Sequence, residues 1–304
     1  MHEFRYQNQE LYCEQIPISA VAEKVGTPFY LYSHQTLLKH FRAYDSAFSA
    51  TPHIVAYAVK ANANLAILRL FAKEGGGADI VSGGELYRAL KAGIDPQKMV
   101  FAGVGKSREE IREALKSDIL LFNVESSQEL TLINEVAGQM KRRARVALRV
   151  NPHIDPKTHP YISTGLKKSK FGISIKQAVE EYKAARTLKH TEIVGVHTHI
   201  GSQLTQIKPF VEALERILEL TEQIQDMNIP IKYLDIGGGL GITYSAEEPP
   251  HPKDLAEAVL PLLKGKGYTL ILEPGRVLVG NAGALITRVL YTKRTATKDF
   301  VVVD

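Results

Sequence analysis

"IVAYAVKANAN", residues 54–64, begins as an unbroken apolar run from Ile54 to Val59 and then meets Lys60, with Asn62 and Asn64 close behind. A short run of this kind, containing Val, Ile and Tyr, reads as a strand buried on both faces. An unpaired ammonium group buried at its end would be costly. Lys60 must therefore reach water or meet a partner, and the two asparagines read as the turn that starts the following helix.

Seven more strand-length runs follow: "GADIVS" (77–82), "MVFAGV" (99–104), "ILLFNV" (119–124), "RVALRVN" (145–151), "IVGVHTHI" (193–200), "IKYLDIG" (231–237) and "YTLILEPG" (268–275). Most segments between them carry a helical apolar period. "LAILRLFAKEG" puts Leu65, Leu68 and Ala72 on one stripe and ends at Gly75, and "FVEALERILELTEQIQ" does the same with Phe210, Leu214, Ile217, Leu218 and Ile224. Eight strand–helix units in 304 residues predict an α/β fold, a (β/α)8 TIM-type barrel. A doubly wound open sheet is the rival, and seldom needs eight such evenly ordered units.

The flanks have a different texture. Residues 1–26 and 281–304 read as short strands with polar spacing, flanking a barrel at 27–280. They are expected to pair with each other as part of a second, β-rich domain, since chain ends usually lie close together. The last residues, "KDFVVVD", are an apolar β-rich run that stops without a turn or polar tail, so this second domain is expected to be incomplete and the chain to be part of a longer protein.

Composition narrows the class. With 44% hydrophobic and 23% charged residues the chain is an ordinary globular protein. Its net charge of +5 comes from scattered Lys and Arg, and the densest cluster, "KRRAR" (141–145), reads as a solvated helix end rather than a nucleic-acid patch. The single cysteine, Cys13, rules out an intrachain disulfide and a cysteine-built metal site. No secretory signal is visible and no apolar run approaches the ~18 residues of a membrane span. A cytoplasmic protein without membrane or nucleic-acid partners is the expectation.

Barrel enzymes carry their chemistry at the C-terminal strand ends. Those ends supply Lys60, Asp79 to Ser82, Asn123 with Glu125, Arg149 with Asn151, His197 with His199, a glycine loop, and Glu273 with Arg276. Lys60 has two readings: a lysine snorkelling to water at the barrel mouth, or one whose pKa is lowered by burial, suited to forming a Schiff base. "DIGGGLG" (235–241) has more glycine than a tight turn needs, and its bare backbone could converge on an anion at Gly237, Gly238 and Gly239. The spacing is not that of a dinucleotide fingerprint, and "VGKS" (104–107) is not a P-loop. A phosphate site after the seventh strand, opposite a lysine on the first, suggests a phosphorylated carbonyl cofactor.

Glu273 reads either as a salt-bridge partner of Arg276 or a lysine, or as a carboxylate held against a ring nitrogen, which would keep that ring protonated as an electron sink. Arg276 could take a substrate carboxylate in its fork. His197 and His199 are two apart, so both point to one face. They read as zinc ligands needing a third partner, or as an imidazole stacked on a cofactor. Ser202 could hydrogen-bond a phosphate.

The motifs "YAVKANAN", "GADIVSGGEL", "HPYISTGLKKSKFG", "VHTHIGSQL", "LDIGGGLGI" and "LEPGR" together resemble the diaminopimelate decarboxylase family of fold-type III pyridoxal-phosphate enzymes, from about residue 25 to the end. The resemblance implies pyridoxal 5'-phosphate as cofactor, with no metal. It implies Lys60 as the Schiff-base lysine and Asp79 positioning the second strand end beside it. His199 would stack on the ring, and Glu273 would pair with the pyridine nitrogen. Ser202 and Gly237, Gly238 and Gly239 would hold the phosphate, helped by Gly275 and Arg276, with Arg276 also contacting substrate. Residues 157–171 resemble a loop that closes on substrate.

The implied reaction is decarboxylation of meso-2,6-diaminopimelate to L-lysine and CO2. The alternatives are an ornithine- or arginine-type amino-acid decarboxylase, or a non-catalytic pyridoxal-phosphate-binding homologue. Two departures stand out. Thr198 occupies a position where the family often has Cys, and is expected to face away from the cofactor. In the family a catalytic cysteine, an acidic residue and a tyrosine lie beyond this chain's last residue, contributed across a head-to-tail homodimer. The 304-residue chain is therefore expected to be inactive or nearly so by itself.

Overall fold

The run that opens the barrel is a strand only as far as Ala58, and Lys60 sits in a single 3-10 turn, Val59–Ala61, just past it. The turn is stapled by its asparagines: Asn62 Oδ1 accepts from the Asn64 N–H, and Asn64 Oδ1 caps the next helix by accepting from the Ala66 N–H. That helix, Leu65–Lys73, buries Ile67, Leu68 and Phe71. The predicted stripe was thus rotated: Leu65 is exposed, because Phe71 carries the larger apolar surface and stacks on Phe41. Gly75 ends the helical region at φ +82°, where a side chain would be strained.

The computed structural model describes residues 2–155 and 170–304. Contacts divide the chain into two units. The larger, Phe41–Val277, is a closed parallel barrel. Its strands are His53–Ala58, Gly77–Ile80, Met99–Phe101, Leu121–Val124, Ala144–Asn151, Thr191–His197, Tyr233–Asp235 and Thr269–Leu272, in the order predicted. Neighbours in sequence are neighbours in the barrel, and the eighth strand closes on the first with Ile271 opposite Ile54. Closure excludes the open sheet. A two-residue strand, Ile173–Ser174, adds to the fifth.

Ala56, Val100, Leu121, Ala147, Val194 and Ile271 fill the barrel interior, with Ile54 and Tyr233 packed against them. The helix Lys208–Asp226 buries the predicted stripe of Phe210, Leu214, Ile217, Leu218 and Ile224. The "KRRAR" cluster follows the helix Ser127–Gln139, and its three arginines donate to main-chain carbonyls: Arg142 to Leu115, Arg143 to Thr191 and Arg145 to Ile119.

The smaller unit runs to His40 and resumes at Leu278. Phe4–Gln7, Glu10–Cys13 and Ile16–Pro17 form an antiparallel meander. Phe29–Tyr32, which lies inside the sequence-based barrel segment, pairs here with Gly283–Ile286. Val289–Arg294 and Asp299–Val303 form a two-stranded ribbon with every residue exposed, Leu290, Tyr291 and Phe300 included. No described helix is long and apolar enough to cross a membrane.

Candidate active site

Side chains alternate along a strand, so residues two positions beyond the apolar layer project inward one layer nearer the C-terminal mouth. Leu121 is followed in this way by Asn123, Ala147 by Arg149, Gly195 by His197, Tyr233 by Asp235 and Ile271 by Glu273. With Asp79 on the second strand, these side chains are all buried. Such a layer is tolerated only if its groups answer one another.

Lys60 stands at the rim, with 52% of its side chain exposed and Nζ 2.5 Å from Asp79 Oδ2. Burial of the site works against its charge, but the carboxylates of Asp79 and Glu273 outweigh that and hold its pKa above the ordinary value. Of the two readings of Lys60, a rim lysine fits the exposure, and the pKa is not depressed as the other supposed: an acidic neighbourhood sustains its charge, with Nζ against Asp79. Burial and the nearby Glu273 charge push the Asp79 carboxyl up, and Lys60 pulls it back. Asp79 Oδ1 has no partner among the described residues.

Among the described residues Glu273 pairs with neither Arg276 nor a lysine. Its Oε1 accepts from Asn123 Nδ2 at 3.2 Å, and its Oε2 lies 3.4 Å from His197 Nε2. Burial opposes its ionisation, yet His197, Lys60 and His199 around it hold the carboxyl well below the usual range. Arg276 turns outward instead, with Nη1 donating to the Tyr244 hydroxyl at 2.9 Å and the guanidinium over the Tyr244 ring.

The two histidines have separate tasks. His199 Nδ1 accepts from the Gly238 N–H at 3.2 Å, which fixes the neutral tautomer with hydrogen on Nε2. Burial, then the charges of Arg149 and Lys60, push its pKa well below the ordinary value. His197 instead groups with Asp235 and Glu273, one donor atom of each within 4.8 Å of the others. Three such donors could begin a cation shell. Asn123 Nδ2 donates to both carboxyls.

The glycine loop is built by exclusion. A Cβ on Gly238 would lie 2.1 Å from the Glu273 carbonyl oxygen, and one on Gly239 would lie 2.3 Å from that of Gly201. Gly237 and Gly239 also have φ of +69° and +117°. The Gly237 N–H is committed to Asp235 Oδ1 and that of Gly238 to His199. The Gly239 N–H has no acceptor among the described residues. Leu204 donates to Gly239 and accepts from Gly241, which stitches the loop carrying Ser202 to the glycine loop. Gly275 packs against Ala58 at the end of the first strand. Thus Lys60, Asp79, His199, Ser202, Gly237, Gly238, Gly239, Glu273, Gly275 and Arg276 all lie on elements at one end of the barrel.

Two buried ion pairs border the site. Arg149 Nη1 meets Glu125 Oε1 at 2.7 Å, Glu125 Oε2 accepts from the Gly172 N–H, and the Arg149 guanidinium lies 4.7 Å from the Phe171 ring centre. Lys106 gives its three protons to Glu129, Gly103 and Asn123 oxygens. Arg149 and Glu125 stand at strand ends with no role legible in the sequence, and Lys106 lies in "VGKS", which fails as a P-loop. The predicted closing loop, 157–171, lies outside the described residues except for Lys170 and Phe171.

These residues fit a phosphorylated pyridine aldehyde. A lysine at the rim, an ionised carboxylate on the floor, a neutral imidazole and a side-chain-free loop with an uncommitted N–H match its carbonyl, ring nitrogen, ring face and phosphate.

Comparison with known proteins agrees. Residues 34–280 match the family model "Pyridoxal-dependent decarboxylase, pyridoxal binding domain". The diaminopimelate decarboxylase of Haemophilus influenzae is 50% identical over all of this chain and 74% of its own length. That of Aquifex aeolicus is 50% identical over 98% of this chain and 71% of its own length. The crystal structure of diaminopimelate decarboxylase from Helicobacter pylori complexed with L-lysine superposes with a TM-score of 0.91 at 45% identity, covering 94% of this chain and 72% of that one. The enzyme from M. jannaschii in co-complex with L-lysine gives 0.94 at 42%, covering 100% and 74%. The chain belongs to the diaminopimelate decarboxylase family of pyridoxal-dependent decarboxylases, and its cofactor is pyridoxal 5'-phosphate.

Proposed function

We propose that this protein removes the carboxylate at one end of meso-2,6-diaminopimelate, giving L-lysine and CO2. The observation that carries the reading is Glu273: a buried carboxylate kept ionised by its surroundings, on the same barrel end as Lys60 and the glycine loop. Bound pyridoxal phosphate supplies the electron sink for the pair left behind when CO2 departs. The assignment of individual residues is part of the proposal. Lys60 would hold the carbonyl carbon, and Asp79 would hold the Lys60 ammonium when that amine is free. Glu273 keeps a proton at the ring nitrogen, which favours loss of CO2. His199, neutral with hydrogen on Nε2, covers the ring without adding positive charge. The Gly239 N–H, with Ser202, Gly275 and the other loop glycines, holds the phosphate, and Arg276 takes a substrate carboxylate.

A homodimer and a cytoplasmic location belong to the same reading. The exposed apolar ribbon, Val289–Arg294 with Asp299–Val303, supports an association surface. Light scattering on the purified protein and fractionation of the source cells test these two points. The activity is tested by CO2 release from meso-diaminopimelate, ornithine, arginine and lysine, with protein expressed from the complete gene. Release from diaminopimelate is expected, and release from ornithine alone would overturn the substrate assignment.

A further inference from the structure

The side chain of Asp235 is fully buried beneath Glu273 and has no catalytic task in the scheme above. Its two oxygens face two parts of the site. Oδ1 accepts the Gly237 N–H at 2.9 Å, at the root of the glycine loop. Oδ2 accepts from Asn123 Nδ2 at 3.0 Å, the same nitrogen that reaches Glu273 Oε1 at 3.2 Å. One oxygen of the Asp235 carboxyl also lies within 4.8 Å of one oxygen of Glu273.

Two buried carboxyls this close, bridged by a single amide, favour sharing one proton over carrying two charges. The surroundings decide which group carries it. Glu273 has Lys60, His197 and His199 acting on it. Asp235 meets the Asn123 amide from the fourth strand, the Gly237 N–H on its own loop, the His197 ring from the sixth strand, and Glu273 itself. Burial and the Glu273 charge, only partly offset by the Asn123 and Gly237 hydrogen bonds, push its pKa well up.

We propose that Asp235 is a positioning residue that carries a proton, donates it to the Glu273 carboxylate, and through the Gly237 N–H couples the ring-nitrogen anchor to the phosphate loop. The proposal rests on the reading of Glu273 as partner of the ring nitrogen. Its chemical consequence follows from charge. A neutral acid hydrogen-bonded to Glu273 lowers that group's proton affinity and leaves the shared proton on the ring. An ionised Asp235 would add a second negative charge and draw the proton off the ring.

The test uses the apoprotein first. An infrared spectrum at neutral pH should contain a protonated-carboxyl band that shifts in heavy water and is missing from Asp235→Asn. Cofactor affinity is then measured by fluorescence titration with pyridoxal phosphate. Asp235→Asn keeps an N–H for Glu273 and an oxygen for Gly237 but turns its NH2 on the Asn123 amide, so it should bind more weakly than the wild type and more tightly than Asp235→Ala. Asp235→Ala loses both and should bind about tenfold more weakly or worse, the scale of one charge-assisted hydrogen bond. Wild-type protein that binds cofactor but lacks the band overturns the proposal alone. So does an Asp235→Ala variant that folds and binds as the wild type does. Protein that shows the band but takes up no pyridoxal phosphate overturns the functional reading of the site, and the coupling with it.

Discussion

Gly238→Ala tests whether the glycine loop and the ring-nitrogen carboxylate form one rigid unit. The added methyl carbon would lie 2.1 Å from the Glu273 carbonyl oxygen and 2.9 Å from its carbonyl carbon, where ordinary contact begins near 3.4 Å. The obstacle is backbone, so no rotamer change relieves it. Either the loop or the end of the eighth strand must retreat by more than an ångström. Overpacking of this kind costs about 1–3 kcal/mol, which in a protein of this size lowers Tm by roughly 2–4 °C per kcal/mol. The same retreat moves Glu273 and the Gly238 N–H that holds His199. Cofactor affinity should fall by about tenfold or more, the equivalent of one charge-assisted hydrogen bond. Gly105→Ala is the control, since a Cβ there meets nothing within 4 Å. Differential scanning calorimetry of the apoprotein and a pyridoxal phosphate titration read both effects. If Gly238→Ala matches the control in both, the loop is not packed as described.

Two further outcomes are expected. His199 is held neutral with a depressed pKa, so the unfolded chain gains a proton near pH 6.5 that the folded chain refuses, and stability is lost as pH falls below that value. Urea unfolding of the apoprotein should show up to about 1.4 kcal/mol of extra loss per pH unit below 6.5, absent in His199→Gln; parallel curves would contradict it. Lys106→Met strands the buried Glu129 carboxylate together with two carbonyls, and should cost about 3–5 kcal/mol in urea unfolding, partly recovered by Glu129→Leu in the same chain. A loss below about 1 kcal/mol would mean that the pair is hydrated.

The barrel was legible because its signal is local. Each strand is an apolar run, each inward polar residue follows the core by two positions, and Asn64 and Gly75 bracket the first helix as their chemistry requires. What could not be read is what the closed barrel brings together. Asn123 bridges Asp235 and Glu273, which lie 112 and 150 residues away in the chain. The direction of the Lys60 shift depends on two carboxylates converging on it from other strands. The opposite expectation followed from burial alone, the only term that a sequence displays. His197 and His199 looked alike because their spacing is that of one strand face. The strand ends at His197, and the turn beyond it sends His199 to Gly238. Phe29–Tyr32 was missed as a partner of Gly283–Ile286 because "FYLY" has no alternation to mark it.

Everything proposed for the site turns on Lys60 as the residue that bonds the cofactor. Borohydride reduction of the protein with pyridoxal phosphate, followed by peptide mass spectrometry, tests it most directly. One pyridoxyl label is expected, on Lys60 in the peptide containing "YAVKANAN", and no specific label in Lys60→Ala. A label on another lysine, or stoichiometric labelling that survives Lys60→Ala, would contradict it.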